Sequence, residues 1–151
     1  MRHILLHGHI FKNAGTTFDW SLERFFGDAF LDHREDKVMR ERGGEHLAAL
    51  VDDRPALRAL SSHFLCFPFP ERAGVTYHGA FFLRHPIERF RSVYAFERQQ
   101  QAETRGARMA KEKNFADYVA WRLEDNVPRT IRNYQVSNRT GMHNFPPRGA
   151  I

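Results

Sequence analysis

The sequence predicts an α/β fold, a mainly parallel central sheet flanked by helices, and three observations predict it. Strand patterns alternate with helical ones along the chain. The first strand runs directly into a loop of small and polar residues and then a helix that opens on threonine. No segment repeats another. The chain of 151 residues is expected to form one domain, residues 1–151, because its length supports one ordinary buried core and falls short of two.

Residues 3 to 10 read as a short buried strand. The small and polar run Lys12-Asn13-Ala14-Gly15-Thr16-Thr17 follows, and Phe18, Leu22, Phe25 and Phe26 then recur at the spacing of one helix face. Residues 28 to 44 are dense in charge, end in Gly43-Gly44 and are expected to form an exposed excursion. A helix is expected over Glu45 to Asp52, and another from Pro55 with Leu57 and Leu60 turned inward. Ser62 to Phe67 is expected as a strand closed by Pro68 and Pro70. Val75 to Leu83, rich in β-branched and aromatic residues, is expected as a further strand.

Pro86 suits the first turn of the next helix, whose buried face is marked by Ile87, Phe90, Val93 and Tyr94. After the polar run from Gln99 to Lys113, Asn114 can cap a helix bearing Phe115, Tyr118, Val119 and Leu123, limited by Pro128. The tail from Asn138 to Ile151 has little periodicity.

The bulk chemistry narrows the function classes. No apolar run approaches the ~18–20 residues of a membrane span, and the apolar stretch at the N-terminus is too short for a secretory signal. Cys66 is the single cysteine, so no intrachain disulfide can form. A cytoplasmic location is the expectation. The net charge of +5 points to an anionic partner, which charge alone leaves open among nucleotide, anionic glycan and nucleic acid. The arginines are not gathered into one stripe with interleaved aromatics, so no nucleic-acid partner is expected.

A loop between a strand and a helix N-terminus turns several backbone N–H groups on one point, where the helix dipole also favours an anion. Gly15 would permit close approach, Thr16 and Thr17 would add hydroxyls, and Lys12 would bring a full positive charge. The pattern differs from GxxxxGK[ST], in which the lysine directly precedes the hydroxyl residue that holds Mg²⁺; here Lys12 lies three positions upstream of Gly15.

The run His9-Ile10-Phe11-Lys12-Asn13-Ala14-Gly15-Thr16-Thr17 resembles the 5′-phosphosulfate loop, H-x-P-K-T-A-G-T-T, of carbohydrate sulfotransferases of the P-loop type, the heparan-sulfate 2-O-sulfotransferase-like group among them. Phe11 stands for the usual proline and Asn13 for the usual threonine. The segment Arg84-His85-Pro86-Ile87-Glu88-Arg89-Phe90-Arg91-Ser92 resembles that family's 3′-phosphate segment, R-D-P-x-x-R-F-x-S, with His85 in place of the aspartate. By residue type alone Arg84 would be read as a surface salt bridge. With the first loop present, Arg84 is expected to fork onto a phosphate and Ser92 to add a hydroxyl.

The resemblance implies a three-layer P-loop-type sandwich that binds 3′-phosphoadenosine 5′-phosphosulfate (PAPS) as donor. The sulfuryl group would pass to a hydroxyl-bearing acceptor, expected to be a glycan or glycolipid. Residues Lys12, Asn13, Ala14, Gly15, Thr16, Thr17, Arg84 and Ser92 would bind the donor, with Lys12 also stabilising the departing 5′-phosphate. Ser61-Ser62-His63-Phe64 resembles the S-G-H-F strand segment that carries the family's catalytic histidine, which makes His63 the expected base. On its own, a histidine in an apolar strand is more often a hydrogen-bonded core residue. Asn133-Tyr134-Gln135 resembles an N-x-Q segment and is expected near the acceptor, through Asn133 and Gln135.

His7 and His9 alternate onto one strand face, but no carboxylate or cysteine accompanies them at ligand spacing, and no metal is expected. The resemblance covers residues 3–26, 61–69, 75–96 and 114–141 of a domain that is usually longer. A truncated C-terminal side is therefore expected, with a second copy or a partner chain as a way of completing the site. The competing classes are a P-loop kinase or nucleoside triphosphatase, which should need Mg²⁺, and a nucleotide-binding protein without transfer activity.

Overall fold

A computed structural model describes residues 1–65, 67–124, 126–128, 131 and 134–136. Cys66, Asn133 and the tail from Asn138 to Ile151 lie outside the described residues. The chain divides into two compact units, one covering Met1–Leu83 and the other Arg84–Val136.

The first unit is built on four strands, β1 (Arg2–Gly8), β2 (Phe30–His33), β3 (Ala59–Ser62) and β4 (Val75–Phe81), all parallel and in the spatial order β2-β3-β1-β4. Helix α1 (Gly15–Phe26) connects β1 to β2, and α2 (Asp36–Asp53) connects β2 to β3. Alternation along β1 assigns the faces. Ile4 and Leu6 point into a core shared with Met39, Leu47, Leu50 and Val51 of α2, whereas His7 points the other way to Asp19 of α1. Helices thus cover both faces of a parallel sheet, as the sequence predicts. Each fully buried aliphatic side chain in that core contributes roughly 1.5–3 kcal/mol.

Several elements differ from the sequence expectation. Residues 28 to 44, expected as an exposed excursion, instead form the edge strand β2 and the first half of α2, although Arg34, Glu35, Lys37, Arg40, Glu41 and Arg42 do remain exposed. Met39, 1% exposed, is the anchor that draws this charged stretch onto the sheet. The helix expected from Glu45 therefore starts nine residues earlier and bends at Gly43, whose φ of 47° glycine adopts without strain. Pro55 begins no helix. Leu57 and Leu60 are buried, but Leu60 does so from β3, a strand buried along its whole length. β3 stops at Ser62, so His63 sits in the turn past the strand rather than within it.

The second unit contains α3 (Pro86–Gln99), α4 (Arg105–Glu112) and α5 (Phe115–Arg122). Thr104 caps α4 by accepting from Ala107 N–H at 3.1 Å, and Asn114 caps α5 by accepting from Asp117 N–H at 3.0 Å. Ala110, Tyr118, Trp121, Val127 and Ile131 form its core. Beside them Glu97 accepts from Tyr118 Oη and from Arg122 Nη2, each at 2.5 Å. Burial lifts the Tyr118 hydroxyl well above its ordinary value, and its bond to Glu97 adds to that. No described helix is long and apolar enough to cross a membrane.

Candidate active site

At the carboxyl edge of the sheet, β1 ends at Gly8 and α1 begins at Gly15. The loop between them places Lys12 and Ala14 at φ of 62° and 63°, a left-handed conformation that strains non-glycine residues by roughly 1–2 kcal/mol each. Neighbouring contacts hold that shape. Asn13 is buried and directs its N–H groups inward, the backbone one to the Ile10 carbonyl at 3.1 Å and the side-chain amide to the Phe82 carbonyl at 2.7 Å. Gly15 lies against the His9 ring, where any side chain would collide.

Ala14 occupies the N-cap and has no side chain that could cap the helix. The first N–H groups of α1, on Gly15, Thr16 and Thr17, therefore have no acceptor within the helix, an arrangement that favours negative charge nearby. Thr16 and Thr17 are exposed and Lys12 is half-buried, so the expected loop residues do come together. Asn13 is the exception, since its amide holds the loop in place.

Beneath the loop lies a cluster that sequence reasoning missed. Asp32, Ser61 and His7 share one register row on adjacent strands. Asp19 of α1, nearly buried, accepts from His7 Nδ1 at 2.7 Å through one oxygen and from His9 Nδ1 at 2.6 Å through the other. Arg34 adds a third donor, with Nη2 at 2.8 Å. Burial pushes the Asp19 carboxyl upward, but hydrogen bonds from His7, His9 and Ser61 outweigh it and hold the carboxyl far below the ordinary carboxylate range. The buried face of α1 runs through Gly15, Asp19 and Leu22, and Phe25, expected on that face, is 81% exposed; a carboxylate three residues before Leu22 was the available signal.

His7, His9 and Asp19 are also the one group among the described residues whose ligand atoms, all within 4.8 Å of one another, could hold a metal. The observed separations of 2.6 and 2.7 Å are hydrogen-bond lengths. Tetrahedral zinc ligands at ~2.0–2.1 Å would stand about 3.3 Å apart. Arg34 also places a positive charge on Asp19, with Nη2 2.8 Å from Oδ2.

His63 is set by two partners. Asp36, the first residue of α2, receives its Nδ1 proton at 3.0 Å, and Arg34 Nη1 lies 3.1 Å from Nε2. Because a guanidinium only donates, Nε2 carries the lone pair and Nδ1 the proton. An imidazole whose tautomer is fixed by a carboxylate, with a basic Nε2, is the arrangement a general base requires. His63 is about one-third exposed and its ring meets His9 edge-on at 5.0 Å, which puts it beside the loop between β1 and α1. Arg34, also bonded to Asp32 at 2.6 Å, links both histidine systems. Asp36 and Arg34 come from the stretch the sequence presented only as charged.

In the second unit, Arg84 is exposed just ahead of α3, and Ser92 is half-buried within that helix. Gln135 grips the backbone of Arg84 at both ends, accepting from its N–H at 2.9 Å and donating to its carbonyl at 3.0 Å. Gln135 thus positions Arg84, and Asn133 lies outside the described residues. Arg89 is almost wholly buried, its guanidinium 4.5 Å from the Tyr134 ring centre, and burial pushes it down to about 10.

The chain resembles an archaeal protein. The relative is an uncharacterized protein of Archaeoglobus fulgidus, 34% identical over 141 residues, which is 91% of this chain and 54% of that protein. The chain therefore spans about half the length of this relative. No protein-family model matches the chain. No solved structure matches it.

Proposed function

We propose that this chain is a sulfotransferase that moves a sulfuryl group from PAPS to a hydroxyl of an acceptor, expected to be a carbohydrate. The observation that carries the reading is the Asp36–His63 pair at 3.0 Å, beside a strained, uncapped loop-to-helix turn that bears Lys12. An oriented base and an anion seat on one sheet edge are what sulfuryl transfer needs.

In the proposed reaction the acceptor oxygen attacks sulfur in line with the bond to the 5′-phosphate. The acceptor proton passes to His63 Nε2 as the new S–O bond forms, and Asp36 stabilises the imidazolium. The sulfur–phosphate oxygen bond breaks. The electron pair stays on the 5′-phosphate, where Lys12 and the N–H groups of Gly15, Thr16 and Thr17 receive the charge. Products are a sulfate ester and adenosine 3′,5′-bisphosphate. Arg34 occupies Nε2 at 3.1 Å and must swing toward the incoming anion before the base can act. Arg84, with Ser92, is assigned to the 3′-phosphate by the motif it carries.

Calorimetric titration with adenosine 3′,5′-bisphosphate, ATP and AMP tests the donor. Tight binding of the bisphosphate without Mg²⁺, weakened at least tenfold by Lys12→Ala, is expected. Equal binding of ATP, or dependence on Mg²⁺, would turn the reading toward a nucleoside triphosphatase or kinase.

A further inference from the structure

Next to the candidate base lies an open cavity of about 700 Å³ between α1 and β2, within the roughly 300–1,000 Å³ of small-molecule sites. Its wall includes Asp19, Asp32 and Arg34, and Arg34 is the residue in contact with His63 Nε2. The guanidinium thus forms the partition between cavity and base. Trp20, 58% exposed, lines the cavity from α1, and Glu23 and Asp28 complete its polar wall.

The charge of this cavity opposes that of the chain. The protein carries +5 overall, yet the cavity presents Asp19, Glu23, Asp28 and Asp32 against the single cation Arg34. Asp19 and Asp32 both bond to Arg34. Glu23 and Asp28 form no salt bridge among the described residues, so their charge is available to a ligand. An anionic donor has no place in such a cleft, whereas the helix N-terminus beside it suits one. The indole of Trp20 offers a flat apolar surface, over which Arg24 lies 5.4 Å from the ring centre.

We propose that this cavity is the acceptor site, and that the acceptor is a hydroxyl-bearing sugar with a free ammonium group rather than a sulfated or uronic-acid glycan. The inference rests on the sulfotransferase reading for the reaction, but the sugar-binding part stands on the cavity alone. The sugar ring stacks on Trp20, the ammonium lies between Glu23 and Asp28, and a ring hydroxyl points past Arg34 to His63 Nε2. The anionic donor and the cationic acceptor are thereby sorted into separate places by charge before either reaches the reacting position.

The test uses the whole chain and a glucosamine trisaccharide, with its N-acetylated form and a uronic-acid oligosaccharide as comparisons. Binding is followed by calorimetry with adenosine 3′,5′-bisphosphate present and absent, and transfer from PAPS by mass spectrometry. The glucosamine trisaccharide should bind and react at least about tenfold better than either comparison, and the preference should fall with added salt. Glu23→Gln/Asp28→Asn should weaken glucosamine binding about tenfold and remove the preference over the N-acetylated form. Trp20→Ala should weaken both neutral and amine-bearing sugars.

Failure to bind the glucosamine trisaccharide, or an unchanged preference in the double variant, overturns this inference even if PAPS is used on another acceptor. Glucosamine binding that depends on Glu23 and Asp28, in a chain that ignores the bisphosphate, upholds the sugar site and overturns the sulfotransferase reading.

Discussion

Replacing Asp36 by asparagine isolates the base from everything else in the site. The amide oxygen can still accept the Nδ1 proton of His63 at about the present 3.0 Å, so the tautomer and ring position persist. What disappears is the negative charge opposite the imidazolium that forms as the acceptor proton arrives. General-base assistance is worth roughly 10²–10⁴-fold. A base left unsupported but still in place should lose the lower part of that range, about 10²-fold, or about 2.7 kcal/mol of barrier.

The effect on folding should be small. The two side chains are 34% and 41% exposed, and a pair so well solvated contributes less than about 1 kcal/mol. The assay is the rate of sulfuryl transfer, run beside calorimetric binding of adenosine 3′,5′-bisphosphate and a thermal melt. Asp36→Asn should lower kcat, leave bisphosphate affinity within about twofold and barely move Tm. The double variant with His63→Gln should be no slower than His63→Gln alone, because both act through one proton transfer. A variant with the wild-type rate, or one that loses rate only as far as it loses donor binding, would refute the assigned base.

Three other perturbations probe the scaffold. Ala14→Gly should stabilise the chain by about 0.5–1 kcal/mol, since glycine accepts a φ of 63° freely, while Ala14→Val should destabilise it; chemical denaturation reads both. Glu97→Ala should cost about 3–5 kcal/mol, because Arg122 and the Tyr118 hydroxyl would be left buried without their acceptor, and urea unfolding followed by tryptophan fluorescence measures it.

Asp19 has a folded pKa well below its unfolded value of about 3.9, so its stabilisation is complete above that value and drains away as pH falls toward the folded one. Wild-type stability should therefore decline below about pH 4. Asp19→Asn should already be about 3 kcal/mol weaker at pH 7 and lack that part of the acid decline.

The sequence alone determined the parts whose physics is local. The apolar run of β1, the β-branched and aromatic residues of β4, the glycine and threonines that open α1, Pro86 at the start of α3 and Asn114 capping α5 all express preferences of a few neighbouring residues, and the elements form there, with β1 and β4 each ending two residues sooner than expected. The loop between β1 and α1 was legible for the same reason.

Tertiary structure alone decided the rest. β2 was hidden because an edge strand of four residues with an aspartate and a histidine has no periodicity to read; pairing with β3 makes it a strand. Asp36 and Arg34 look like two charges in a charged stretch until the sheet order carries the end of β2 to within reach of the turn after β3. Asp19 lies between Gly15 and Leu22 on the buried face of α1 for no local reason, and only the arrival of His7, His9 and Arg34 from other elements gives its buried charge partners. Side chains drawn from distant segments owe their meeting to long-range packing, and packing at that range leaves no trace in the spacing of residues along the chain.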